Sequence, residues 1–135
     1  MKIIVCVDER GGLSFAKKRH ATDRLLREDM LKTCQNNTLW MDAYSYQQFE
    51  TDFQSRIALT ENYQTPIPEQ DYLFVERSPL TSLLSEANTL IIYNWNRHYP
   101  SDCYLDVDFS QWHLAETEEF PGFSHPKITK EVWIK

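Results

Sequence analysis

The sequence predicts an α/β domain whose mixed, mostly parallel sheet is flanked by helices and ends in an antiparallel ribbon. Two observations lead to this fold class. Short apolar runs of strand length alternate with helical stretches through most of the chain, an order typical of parallel strands joined by helices. The chain then closes in the alternating run 128–134, which is typical of a strand with one covered face. Its 135 residues correspond to a single domain, 1–135.

The composition is that of a globular protein, with 41% hydrophobic and 25% charged residues. The net charge of −6 hides an asymmetry, since residues 1–32 carry +3 and residues 33–135 carry −9. This distribution excludes an extended nucleic-acid surface, which needs many cations on one face. It leaves room for a small-anion site near the amino end.

The first element is a strand over residues 2–7, a continuous apolar run that ends at Asp8. Residues 9–12 contain two adjacent glycines and predict a turn. The basic residues 17–19 are expected in a loop.

A helix is predicted over residues 22–33. Thr22 is the expected N-cap, and Asp23 in the first turn suits the positive end of the helix dipole. The expected buried stripe consists of Leu25, Leu26, Met30 and Ala21.

The middle of the chain predicts a short buried strand over 38–41 and a second helix from Asp42 to about Phe53. Residues 54–70 have weak periodicity and two prolines, so they are expected to form a connecting loop.

The second half begins with an apolar strand over 73–75, a short helix starting near Ser78 and Pro79, and a strand over 90–93. The spacer 101–104 then leads to Trp112 and the closing ribbon. This order of elements, together with the amino-terminal strand, loop and helix, resembles the dihydrofolate reductase fold.

The resemblance also implies a departure from that family. Its members place a pair of glycines after the strand that matches 73–75, where the cofactor's pyrophosphate approaches the backbone. Glu76 and Arg77 occupy these positions here, and a strand-helix unit of the cofactor wall is expected to be absent between about Phe53 and Asp71. We therefore expect a shortened fold, no cofactor, and no binding of NADPH. The chain also resembles a small bacterial family that lacks the glycine pair.

Asp23 is the candidate catalytic residue, because the resemblance implies a carboxylate at this place that binds a pterin ring and assists its protonation. The alternative is that Asp23 only stabilises the start of its helix. Tyr93 matches the position of a hydroxyl residue that faces this acid, although a tyrosine on a half-buried strand is also a common packing residue.

The candidate ligand-binding residues combine basic side chains near the first helix with two aromatic residues on strands. A loop of cations before a helix start can bind a phosphate or carboxylate, although short charge runs also occur as solvated loops. The set comprises Lys17, Lys18, Arg19, Arg24, Trp40 and Tyr93.

Other classes of site lack the residues they need. The four histidines are scattered and no pair has the spacing of metal ligands, so no metal is expected. His20 and Asp23 have helical i, i+3 spacing and are a conceivable acid–base pair. Three widely spaced cysteines are expected to be reduced, and no apolar run reaches the length of a membrane span. We expect a cytoplasmic protein.

These observations favour a domain that binds a small anionic or planar ligand, such as a nucleotide, and that is not an NADPH-dependent reductase. One alternative is an enzyme that acts on a bound heterocycle with Asp23 as acid or base. Another is a protein-interaction domain that uses the aromatic strand end 93–100 and the acidic ribbon 116–125.

Overall fold

The computed structural model describes residues 1–49, 56–61, 66–77 and 80–135. Within these ranges the strands are β1 (Lys2–Val7), β2 (Gly12–Phe15), β3 (Lys18–Arg19), β4 (Leu39–Met41), β5 (Ile57–Leu59), β6 (Tyr72–Phe74), β7 (Thr89–Asn94), β8 (Cys103–Tyr104), β9 (His113–Phe120) and β10 (Ile128–Ile134). The α-helices are α1 (Arg24–Cys34), α2 (Ala43–Tyr46) and α3 (Thr81–Glu86).

Seven strands form one mixed sheet in the order β5-β4-β6-β1-β7-β10-β9. The first five are parallel to one another, whereas β10 runs antiparallel to both β7 and β9. The predicted fold class, a mostly parallel sheet with a closing antiparallel ribbon, is therefore confirmed. A separate sheet, β3-β2-β8, is antiparallel.

The central strand β1 explains how the core is divided. Its side chains alternate between two faces of the sheet, and both faces are covered. Ile4 packs in the cluster under α1, and Ile3 and Val5 pack in the cluster under α3. All three side chains are fully buried.

The start of α1 differs from the prediction by one residue. Asp23, and not Thr22, is the N-cap, and its extended backbone precedes a helix that begins at Arg24. Its carboxylate accepts hydrogen bonds from the amides of Leu25 and Leu26. An aspartate is a stronger N-cap than a threonine, so the side chain that reaches these amides decides where the helix begins.

The basic segment 17–19 is not a loop. Lys18 and Arg19 form β3 and pair with β2 in a hairpin, called the β2–β3 hairpin below. Its turn places Ala16 and Lys17 at φ values of 51° and 61°, the left-handed backbone that tight hairpin turns require. Neither residue belongs to the types that usually signal such a turn, so the sequence pattern missed it.

The stretch 54–70 contains a strand that the sequence did not reveal. Residues 57–59 form β5, which pairs in parallel with β4 at the edge of the large sheet. The prediction that residues 54–70 form an uninterrupted loop is therefore wrong. The expectation that this stretch lacks the strand of a strand-helix unit is also wrong, because β5 is such a strand. The predicted helix from Asp42 to about Phe53 is wrong beyond Tyr46, where α2 ends and residues 47–49 form a turn and a bend. Its predicted end at Phe53 and the predicted helix start at Ser78 and Pro79 lie outside the described residues.

The three cysteines are free, and Cys34 is buried. Burial raises the pKa of Cys34 to about 12, and burial also raises the pKa of Cys6 well above its ordinary value. These two thiols therefore have little thiolate character. Across the part of the chain that the structure describes, none of the helices is both long enough and apolar enough to cross a membrane.

Candidate functional site

The carboxyl ends of the parallel strands carry buried acidic residues. Asp8 follows β1, Asp42 follows β4 and Glu76 lies just beyond β6, and all three are buried. Ligands of open α/β sheets bind at this edge. Each carboxylate is bound by groups of the chain itself, which determines how much of the edge is open to a ligand.

Asp8 organises the loops on both sides of this edge. Its Oδ1 accepts from the amides of Arg10 and Gly12 at 2.9 and 2.8 Å, and its Oδ2 accepts from the amide of Tyr99 at 3.1 Å. Burial alone would raise the pKa of Asp8, but these three amides outweigh it and lower that pKa. Gly12 must be a glycine, because a Cβ there would collide with the side chain of Ser101.

Glu76 is held by the β2–β3 hairpin. The Nε of Arg19 donates to both carboxylate oxygens of Glu76, at 3.0 and 3.2 Å, and Gln48 donates to one of them at 3.1 Å. Arg19 also donates to the carbonyl of Tyr44 at 2.8 Å and lies over its ring. Arg77 lies over the same ring, 4.0 Å from its centroid. Glu76 and Arg77 are thus part of a packed network.

A pocket of about 410 Å³ opens between the β2–β3 hairpin and the loop after β7. We call it the hairpin pocket. Its volume lies within the range of small-molecule sites. It is lined by Phe15, Ala16, Lys18, Arg19, His20, Tyr99 and Pro100.

The character of the hairpin pocket comes from an aromatic floor and a cationic rim. The rings of His20 and Tyr99 are stacked, with centroids 5.1 Å apart. Phe15 is 51% exposed beside them, and Lys18 and Arg19 supply positive charge. Flat apolar faces next to cations suit a planar molecule with an anionic group.

His20 is the titratable ring of this pocket. Its Nε2 is 2.9 Å from the hydroxyl of Ser101. Burial lowers the pKa of His20, and the charge of Asp8 opposes that effect only in part. The conceivable pair of His20 with Asp23 is not formed, since the histidine that contacts Asp23 is His125.

Asp23 is buried and its two oxygens are fully used. In addition to capping α1, it accepts from the amides of Phe123 and Ser124 at 3.0 and 2.9 Å and from Nδ1 of His125 at 3.0 Å. Burial alone would raise the pKa of Asp23, but the Phe123 and Ser124 amides, His125 and the Leu26 amide hold it well below its ordinary value. Its geometry favours a structural role over the acid–base role, which stays a prediction.

A chain of hydrogen bonds nevertheless links Asp23 to the hairpin pocket. His125 is buried and stacks on Trp95 at 4.4 Å. Because ionised Asp23 can only accept, Nδ1 of His125 donates to it. Nε2 of His125 lies 3.0 Å from the hydroxyl of Tyr99, and the ring of Tyr99 lines the pocket.

Tyr93 faces an acid, but that acid is Asp29. Its hydroxyl donates to Oδ2 of Asp29 at 2.6 Å, and Lys130 forms an ion pair with the same oxygen at 3.0 Å. Tyr93 is fully buried. Burial, and then the charge of Asp29, raise the pKa of its hydroxyl far above the ordinary value. The structure therefore does not place Tyr93 in the hairpin pocket.

The remaining candidates are dispersed. Trp40 donates to Asp71 at 3.0 Å, at the amino end of β6 and away from the pocket. Arg24 is exposed and lies over the ring of Phe123. Lys17 is exposed in the hairpin turn. Of the six predicted ligand-binding residues, Lys18 and Arg19 line the hairpin pocket.

The expected protein-interaction surface is only partly exposed. Trp95, at the centre of the aromatic strand end, is 4% exposed and packs inside the core. It is therefore not a surface anchor. Strand β9, by contrast, is an edge strand whose Glu116, Glu118 and Glu119 are exposed.

Sequence reasoning missed three residues of these networks: Asp29, His125 and Ser101. Asp29 is one of several polar residues of α1, and nothing in its spacing separates it from Glu28. His125 lies 102 positions from Asp23, so no local pattern joins them. The segment 93–100 was singled out for stacking a planar ring, and Tyr99 from that segment does line the pocket.

Among the described residues, no group of three or more His, Cys, Asp or Glu side chains is arranged to hold a metal ion. No family model matches the sequence. No curated protein matches it either.

The fold does have a counterpart among solved structures. The chain superposes on dihydrofolate reductase from Enterococcus faecalis, solved in complex with NADP(H) and RAB-propyl, with a TM-score of 0.69. The match covers 98% of this chain and 94% of the reductase, at 12% sequence identity. An identity this low speaks for the fold alone. The chain has a dihydrofolate reductase-like fold.

Proposed function

We propose that this domain binds a small planar ligand that carries an anionic group, such as a nucleotide, in the hairpin pocket. The observation that carries the proposal is the combination of the stacked His20 and Tyr99 rings with the cations Lys18 and Arg19 around one cavity. Base–aromatic stacking supplies affinity for a planar ring without requiring a particular base. The cations favour a phosphate or carboxylate at the rim.

We further propose that the domain is not a nicotinamide-dependent reductase. The support is the network around Glu76 and Arg77, the two residues that the resemblance matches to the glycine pair of dihydrofolate reductases. Glu76 adds a buried negative charge where a diphosphate would approach the backbone, and it is bound by Arg19 and Gln48. Binding the diphosphate there would require these bonds to break.

The test is a calorimetric titration of the purified protein with AMP, GMP, pterin-6-carboxylate and NADPH. We expect at least one of the three smaller planar anions to bind and NADPH not to bind through its diphosphate. Phe15→Ala should weaken the binding of a stacked ring by about 1–3 kcal/mol. No binding by any of these probes, or the same affinity in Phe15→Ala, would contradict the proposal.

Lysine variants provide a matched charge control. Lys18→Ala removes a cation from the rim of the pocket, whereas Lys127→Ala removes one from the distant ribbon, where Lys127 pairs with Glu119. We expect Lys18→Ala to lower the affinity by up to about 1 kcal/mol, an effect that weakens at high salt. Lys127→Ala should bind as the unchanged protein does. Equal effects of both variants would mean that only net charge matters.

The hydrogen-bond chain from Asp23 through His125 to Tyr99 favours a second candidate, an enzyme acting on the bound ring. In that case Tyr99 would exchange a proton with the ligand, and Asp23 would act through His125 as a positioning residue. Tyr99→Phe keeps the aromatic face and removes the hydroxyl. It should retain ligand binding but abolish any proton uptake measured by titration in buffers of different ionisation enthalpy. Unchanged proton uptake would exclude this role.

A further inference from the structure

We propose that the outer side of β9 binds an extended basic peptide segment of another protein, which adds a strand to the edge of the large sheet. The segment carries Lys or Arg at every second position, and these side chains enter the groove between β9 and α1. This inference does not depend on the hairpin pocket. It rests on the position of β9, on the charges of that strand and on the groove beside it.

The first observation is that β9 is a long strand at the edge of the sheet. It runs from His113 to Phe120 and pairs on one side with β10. On its other side, no backbone group of the described residues forms a hydrogen bond with it. Its register with β10 shifts at Ala115 and is regular from Glu116 to Phe120. Such an edge presents a row of unpaired amides and carbonyls, to which an extended peptide can add as a further strand.

The second observation is the single sign of the charge on this edge. The strand contains three exposed glutamates, Glu116, Glu118 and Glu119, and no lysine or arginine. Within the part of the chain that the structure describes, Glu116 and Glu118 form no ion pair or hydrogen bond, and Glu119 has a long contact of 3.7 Å with Lys127. Two copies that paired through β9 would bring like charges together, whereas a basic strand would be attracted. The charge therefore favours a basic partner over a second copy.

The third observation is a groove of about 290 Å³ between β9 and α1. Three carboxylates line it, those of Glu28, Asp29 and Glu118, against one cation, Lys32. Asp29 is already paired with Lys130, so the exposed Glu28 and Glu118 are the carboxylates available to a partner. Apolar side chains complete the wall. A lysine or arginine fits such a groove, because its stem is apolar and its head is positive.

The register of the ribbon places this groove within reach of an added strand. Glu116 is opposite Val132, which packs against the cluster under α1. Glu118 is opposite Lys130, which forms an ion pair with Asp29 of α1. Directly opposite residues of neighbouring strands point to the same face, so both glutamates stand on the α1 face. Every second side chain of an added strand would stand on that face too, which is why basic residues are required at alternate positions.

The probe for this docking site is the synthetic peptide acetyl-Thr-Lys-Val-Lys-Thr-Lys-Val-Lys-amide. We expect it to bind the unchanged protein in a calorimetric titration, and to bind more weakly as salt is added. A control peptide with glutamate in place of each lysine should not bind. A second control keeps the lysines and replaces both valines by proline, which cannot donate to a ladder, and it should bind about tenfold more weakly. Failure of the probe to bind, or equal affinity for the proline peptide, would make the inference wrong.

A double variant of the protein tests the charges of the edge. Glu116→Gln with Glu118→Gln removes two exposed, unpaired charges, so the variant should fold as the unchanged protein does, and its affinity for the probe should fall by about tenfold. The matched control, Glu69→Gln with Glu86→Gln, removes two exposed charges outside β9 and the groove. The control should bind as the unchanged protein does. An equal loss in both double variants would mean that only net charge attracts the peptide, which contradicts the docking site.

Hydrogen exchange of the backbone amides tests the mode of binding. The outward amides of residues 116–120 should exchange rapidly in the unliganded protein and slowly when the probe is bound. The amides of β5, the strand at the opposite edge of the sheet, should exchange as before. Binding without protection of β9 would overturn the inference. A dimer in sedimentation of the peptide-free protein, with β9 already protected, would also overturn it, because a second copy would then occupy this edge.

Discussion

Replacing Asp23 tests whether this residue holds the fold together. Asp23→Ala removes the cap of α1, at a cost of about 1 kcal/mol. It also leaves the part-buried amides of Phe123 and Ser124 and the buried Nδ1 of His125 without their acceptor, at a cost of about 1–3 kcal/mol for a fully buried group and less for the two amides. Water entering the space recovers part of this, so we expect a loss of about 3–5 kcal/mol. That is a large share of the roughly 5–15 kcal/mol that stabilises a typical domain.

Asp23→Asn gives a finer measurement. Asparagine is also a good N-cap, so α1 keeps its start, but one acceptor oxygen and the negative charge are lost. We expect a loss of about 2 kcal/mol at pH 7. Asp108 provides the control, because it caps the exposed 3-10 turn Phe109–Gln111 through the amide of Ser110. Asp108→Ala should unfold at nearly the same urea concentration as the unchanged protein.

The assay is urea unfolding followed by tryptophan fluorescence, to which Trp95 contributes through its stacking on His125. The pH dependence has a definite sign. Because the pKa of Asp23 is lowered in the folded state, its contribution is present above the unfolded value of about 4. It is lost as the pH falls further. The advantage of the unchanged protein over Asp23→Asn should therefore shrink below about pH 4. Equal stability at pH 7, or a difference that does not change with pH, would refute the reasoning.

Three further predictions concern single sites. Gly122→Ala should lower the melting temperature, since its Cβ would lie 2.6 Å from Oδ2 of Asp23, and overpacking costs about 1–3 kcal/mol; an unchanged melting temperature would contradict this close approach. Tyr93→Phe should lower the free energy of unfolding measured with urea by about 1–2 kcal/mol, because Asp29 loses a buried donor. Its affinity for the ligand should stay the same. Burial lowers the pKa of His20 in the folded protein, so below about pH 6.5 the unfolded chain binds this proton more readily and the folded state loses stability. The melting temperature should therefore fall between pH 7 and 5, and it should fall less in His20→Gln.

Strands β1 and β10 were both predicted from sequence patterns, for different physical reasons. The alternation of β10 in sequence is not an alternation of burial, since Ile128 is buried and residues 129–133 are all half-buried, whereas β1 is a run of apolar side chains buried on both faces. Such patterns record burial, which is local in sequence. Strand β5 escaped detection because an edge strand of three half-exposed or exposed residues carries little of that signal.

The site was harder to predict because its contacts are distant in sequence. The prediction that residues 17–19 form a loop is wrong, because Lys18 and Arg19 form β3. These two residues line a pocket, but the hairpin that carries them depends on pairing with β8 and on the backbone amides that bind Asp8. The carboxylate at residue 76 is apparent from the sequence, whereas its contact with Arg19 spans 57 positions. A single sequence therefore shows a carboxylate at residue 76, and only the fold shows that this carboxylate pairs with Arg19.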